Sequence, residues 1–83
     1  MSEVGEIRVA LAGVVEQIGS AYEHAGVARA RIADAVAVLS DLGEQHSEPL
    51  VPAELRQAAE ELERGLGLIN GGASAVADIE ARL

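Results

Sequence analysis

The sequence predicts an all-α fold: an antiparallel two-helix hairpin, with long helices at about 4–42 and 52–83, that pairs into a four-helix bundle. Three observations carry this. A seven-residue apolar repeat runs through the first half of the chain, a second one runs through the last third, and a short proline-bounded segment separates them.

The first repeat has two rows. One reads Val4, Leu11, Ile18, Ala25, Ile32, Leu39, and the other reads Ile7, Val14, Ala21, Ala28, Ala35, Leu42. Every residue in both rows is apolar, for longer than the roughly three or four heptads that identify a packed helical seam. Glu and Arg fall mostly between the rows. At 1.5 Å per residue this helix is about 60 Å long. Gly13, Gly19 and Gly26 lie inside it, each costing about 1 kcal/mol relative to Ala, so packing rather than propensity must hold the helix. Gly43 follows the last periodic residue, where a left-handed C-terminal cap is expected.

Residues 44 to 52 form the loop. Pro49 and Pro52 exclude a continuous helix, and Pro52 suits the first turn of the next one. The second helix repeats as Leu55, Leu62, Ile69, Val76, Leu83, with Ala59, Leu66 and Ala73 between and Glu80 as the one departure. Arg56 with Glu60, and Glu60 with Arg64, are spaced for i,i+4 ion pairs on its wet face. Asn70-Gly71-Gly72 has the composition of a turn, yet the repeat passes through it in register, which favours a continuous helix.

Folding the chain back at 43–52 sets facing residues at numbers adding to about 95, given the 1.5 Å rise of both helices. Tyr22, the single aromatic residue, then lies opposite Ala73 and its neighbours Gly71 and Gly72, as a plug facing a notch. Leu83 reaches back to about residue 12, which leaves Val4, Ile7 and Leu11 overhanging the second helix. Val15, Tyr22 and Val36 form a further apolar edge. Such a stripe is wider than a two-helix seam needs and fits a helix touching two neighbours. The predicted interaction residues are therefore Val4, Ile7, Leu11, Val15, Tyr22 and Val36.

Composition bounds the function. Hydrophobic residues are 49% of the 83, but sixteen are alanine and there is no Phe or Trp, so a lone hairpin is short of core. With no cysteine, disulfides, thiol nucleophiles and zinc ribbons are excluded. Six arginines, no lysine and fourteen Asp and Glu give a net charge of -8. Nucleic acid and anionic membrane surfaces both require clustered cations, so neither is an expected partner. The acidic start Glu3-Val4-Gly5-Glu6 lacks the basic character of a signal peptide, and the apolar run from Val9 to Val15 is far shorter than the roughly 20 residues that span a bilayer. A cytoplasmic location is expected, with export by a route lacking a cleaved signal compatible with it.

Candidates for chemistry are few. His24 and His46 are in no ligand spacing, and Gly65-Leu66-Gly67 sits within an apolar helix rather than a phosphate loop. Glu60, Glu61 and Glu63 fan around a wet face with no His converging on them. The expectation is a non-enzyme without cofactor, metal or small-molecule substrate. It is a helical protein–protein interaction module (an intracellular adaptor, regulator or oligomerisation partner) whose partner is a second copy or another helical chain.

Two long amphipathic helices in an acidic hairpin, with Asp41-Leu42-Gly43 at the bend, resemble the small W-x-G hairpin proteins of actinobacterial type VII secretion. The Lys-free, Ala-rich composition resembles proteins of high-GC actinobacteria. The glycine of the bend motif is kept and its tryptophan is not. The tail Asp78-Ile79-Glu80-Ala81-Arg82-Leu83 holds no tyrosine of the Tyr-x-x-x-Asp/Glu export type. The resemblance implies dimerisation into a four-helix bundle and a role as partner or adaptor of a larger effector or toxin.

Overall fold

The structure, a computed structural model, describes residues 3–83. It is an all-α hairpin of two helices, α1 (Glu3–His46) and α2 (Ala53–Ala81). The 44 residues of α1 at 1.5 Å each account for the long dimension of a rod 67 × 15 × 14 Å. α2 is continuous through Asn70-Gly71-Gly72, as the unbroken repeat predicts.

The bend differs from the sequence expectation in one respect. α1 does not stop at Leu42 with Gly43 as a left-handed cap; it continues to His46, and Ser47 takes the positive φ, 53°. The Glu48 N–H donates to the Gly43 carbonyl (2.9 Å) and the Ser47 N–H to that of Glu44 (3.4 Å). These are the two bonds of a Schellman motif, which satisfy carbonyls that the helix end would leave bare. Gly43 is buried for another reason: the Glu48 carbonyl oxygen lies where its Cβ would stand. The glycine is needed for close approach of the returning chain, not for its left-handed freedom. Beyond it, Pro52 is extended (φ -64°, ψ 144°), and its carbonyl accepts from the N–H groups of Leu55 (3.1 Å) and Arg56 (3.3 Å) to start α2.

Gly43 also sets which edge of α1 faces α2. Residues on its face recur four, seven and eleven positions back, at Leu39, Val36 and Ile32. These, with Val15, Ile18, Ala25 and Leu11 further along, are among the half-buried residues of α1. On α2 the inward residues are Leu55, Ala59, Leu62, Leu66, Ile69, Ala73 and Val76 of the predicted row, together with its one departure, Glu80, whereas Leu83, the last member of the row, is 40% exposed. Val15 and Val36 thus belong to the hairpin seam and not to a second edge. The row Ile7, Val14, Ala21, Ala35, Leu42, predicted for the seam, is exposed instead, with Ala28 half-buried. The stripe has the predicted width, and its two edges exchange places.

The register also shifts. Arg29 pairs with Glu63 at 2.9 Å, so facing residue numbers add to 92 there. Arg8 lies beside Ala77, Glu80 and Ala81 near the far end. The extended residues before α2 advance about 3.3 Å each against 1.5 Å in a helix, which carries α2 further along α1 than a helical count allows. Leu11 is consequently half-buried within the seam and does not overhang. Val4 and Ile7, each 45% exposed, lie towards the free end.

Little is buried. Among the described residues Leu66, at 5% exposure, is the one buried apolar side chain. The accessible surface is 6071 Å², whereas a compact monomer of 8.5 kDa exposes about 4,700 Å².

Candidate interaction surface

In an antiparallel pair, residues at equivalent offsets from the two seams fall on the same side of the hairpin. One side carries Ile7, Val14, Ala21, Ala28, Ala35 and Leu42 from α1, and Ala58, Gly65, Gly72 and Ile79 from α2. None of these ten positions is charged. A shallow depression between the helices on this side is lined by Ala25, Ala58, Leu62, Gly65, Leu66 and Ile69, with Glu61 at its edge. The large residues left in water on or beside this side include Ile7 (45%), Val14 (39%), Val38 (59%), Leu42 (39%), Leu68 (70%) and Ile79 (42%). Monomeric soluble proteins rarely leave a contiguous apolar strip of such length uncovered.

The opposite side is polar on α2 alone, where Arg56, Glu63 and Asn70 accompany the small α1 residues Ala12, Gly19, Gly26 and Ala33, and the Arg29–Glu63 ion pair crosses it with side chains 48% and 66% exposed. At that exposure the pair adds little stability and serves as a register mark. Among the described residues it is the one ion pair; Glu60 pairs with neither Arg56 nor Arg64, and the local contact on that face is Gln57 Nε2 donating to Glu61 Oε1 at 3.3 Å.

Of the six predicted interaction residues, Val4 and Ile7 are exposed as expected, whereas Leu11, Val15 and Val36 are taken by the seam. Tyr22 is 44% exposed, and a Cβ built on Gly71 or Gly72 meets nothing within 4 Å, so no plug fills a notch there. Val14, Leu42, Leu68 and Ile79 carry the exposed face and were not among the predicted residues.

His24 Nδ1 donates to the Ser20 carbonyl one turn earlier (2.8 Å), which ties the ring to its own helix. Among the described residues no three of His, Cys, Asp and Glu gather as metal ligands, and no helix is long and apolar enough to cross a membrane. No protein-family model, curated protein or solved structure matches the chain, so the face described above is the ground on which a function rests.

Proposed function

We propose that the chain is a non-catalytic helical protein–protein interaction module, acting as an adaptor, regulator or oligomerisation partner inside the cell that makes it. The observation that carries this reading is the accessible surface, about 1,400 Å² beyond that of a compact chain of this mass. A standard protein interface removes about 800 Å² from each partner, so one docked helical surface would account for much of the excess. Burying apolar side chains at about 25 cal/mol per Å² supplies the stability that a single buried leucine does not. Leu68 tests it well, because at 70% exposure it contributes little to the hairpin itself. Leu68→Glu should abolish capture of the partner while Ala12→Glu, on the opposite side of the hairpin, leaves it unchanged. Equal capture by both variants would refute a docking role for this face.

A second reading makes the partner a larger effector or toxin of a type VII secretion route. It is favoured by the bend, where the one glycine shared with the W-x-G hairpins is the position at which the Glu48 carbonyl leaves no room for a side chain. Export of the tagged chain that stops when the secretion ATPase is deleted would support it, and unaffected export or none would count against it.

A further inference from the structure

We propose that Asn70 is a modification site: it deamidates spontaneously in water through attack by the Gly71 backbone nitrogen, and opening of the glycine-rich middle of α2 gates the reaction. Asn70 is the one asparagine in the chain, and Gly71 and Gly72 follow it. It is exposed, on the side of the hairpin opposite the uncharged face. Its carboxamide has no hydrogen-bond partner among the described residues. A Cβ built on Gly71 meets nothing within 4 Å, so the space beside the reacting nitrogen is open. The repeat thus holds inside a helix a segment whose composition is that of a turn.

The chemistry needs only water. The Gly71 nitrogen gives up its proton to solvent and bonds to Asn70 Cγ, the Cγ–Nδ2 bond breaks, and ammonia leaves with a proton returned from solvent. The cyclic imide then takes up water at one of its two carbonyls. Opening at Cγ gives aspartate in an unchanged backbone. Opening at the main-chain carbonyl gives isoaspartate, whose backbone runs through Cβ and Cγ and is one atom longer. In sum an amide and water become a carboxylate and ammonium, and nothing is oxidised or reduced.

The closed helix prevents the attack. Its ladder ties the Gly71 N–H to the carbonyl four residues back, and a helical ψ at Asn70 turns that nitrogen away from its own side chain. The ladder is weakest at this place. Gly65, Gly67, Gly71 and Gly72 fall within eight residues, and each lowers the helix population about fivefold relative to alanine. Between buried Leu66 and half-buried Ala73, Ile69 is the one residue turned inward. Local opening is drawn from segments with so few buried contacts. Once isoaspartate forms, the longer backbone throws the ladder out of phase. Residues 71–81 are then cut off from the part of α2 that Leu66 and the Arg29–Glu63 pair hold, and the free end of the hairpin loosens.

The full chain, kept in mildly alkaline buffer at physiological temperature and sampled over days, supplies the test. Trypsin cleaves after Arg64 and Arg82 and leaves the fragment 65–82, with Asn70 as its one side-chain amide. Conversion appears as the mass gained when NH2 becomes OH, and as separate peaks for the aspartate and isoaspartate forms. The comparison is Gly65→Ala/Gly67→Ala, which leaves Asn70-Gly71 intact and adds two Cβ atoms that meet nothing within 4 Å. Circular dichroism checks that both chains are folded. In buffer the double variant should convert more slowly by on the order of tenfold, since two glycines are removed from the gate. In concentrated urea the two chains should convert at the same rate, because the gate is gone. A folded parent that keeps Asn70 intact while the urea-unfolded chain converts fully would overturn the site. A parent that converts equally fast in buffer and in urea, or a double variant no slower than the parent in buffer, would overturn the gate.

Discussion

Gly43→Ala isolates the contact that orients the hairpin. Gly43 is helical, so replacing it with alanine should by propensity alone gain about 0.5–1 kcal/mol. Against this, the new methyl would occupy the space of the Glu48 carbonyl oxygen. That neighbour is backbone held by its own N–H to the Gly43 carbonyl at 2.9 Å, so it cannot swing aside as a side chain would. Overpacking of this kind costs about 1–3 kcal/mol, and losing the Schellman bond adds about 1 kcal/mol. The net expectation is a loss of about 1–3 kcal/mol. For a domain of this size each kcal/mol shifts the melting temperature by about 4–8 °C. Gly19→Ala is the internal control: it lies on the same helix, and its added Cβ meets nothing within 4 Å. Thermal melts followed by circular dichroism at one chain concentration should therefore move in opposite directions, up for Gly19→Ala and down for Gly43→Ala. A Gly43→Ala chain that melts higher than the parent would refute the role given to the bend, and with it the physical reason for the orientation of α1.

Ser47 holds a left-handed φ of 53° that costs a non-glycine residue about 1–2 kcal/mol. Ser47→Gly should thus stabilise by about 0.5–1 kcal/mol after its extra unfolded-state entropy is counted, read as a higher urea midpoint with an unchanged slope. Salt should strengthen self-association, because each chain carries -8 and the proposed face carries no ion pair. Raising sodium chloride from about 20 to 300 mM shortens the Debye length from roughly 20 Å to under 8 Å. The dimer dissociation constant by sedimentation equilibrium should fall over that range, and a rise would point to an interface held by opposite charges.

Much of the architecture was legible in the residues. The α2 row from Leu55 to Val76 packs as its repeat indicates, and the repeat correctly overrode the turn-like composition of Asn70-Gly71-Gly72. For α1 the repeat set the width of the apolar stripe but not its rotation, because the row beginning at Ile7 and the residues Val15, Tyr22 and Val36 flank Leu11 on either side and both sets are apolar. The deciding signal was Gly43. Taken as a cap it says nothing about rotation. Taken as the point where the returning backbone must touch the helix, it places Leu39, Val36 and Ile32 in the seam and leaves Val14, Ala21 and Leu42 outside. The register error has a similar origin. Counting the residues before Ala53 as though they rose like a helix ignores the extended conformation that Pro52 imposes. Tyr22 misled because a single large ring invites a partner, and glycines seemed to provide one; Gly72 instead lies with Ala58, Gly65 and Ile79 on the side of the hairpin away from the edge that carries Tyr22.

The central claim is that the folded unit is more than one hairpin, and the concentration dependence of thermal unfolding tests it most directly. If unfolding is coupled to dissociation of two copies, raising the chain concentration from about 1 to 100 μM stabilises the assembly by RT ln 100, about 2.7 kcal/mol. With about 2.1 cal/mol/K per residue over the two chains, the entropy of unfolding is near 350 cal/mol/K, which converts this to a rise of about 8 °C. The account predicts that rise in the parent and a much smaller one in Leu68→Glu. A parent melting temperature that stays constant across the hundredfold range would contradict it.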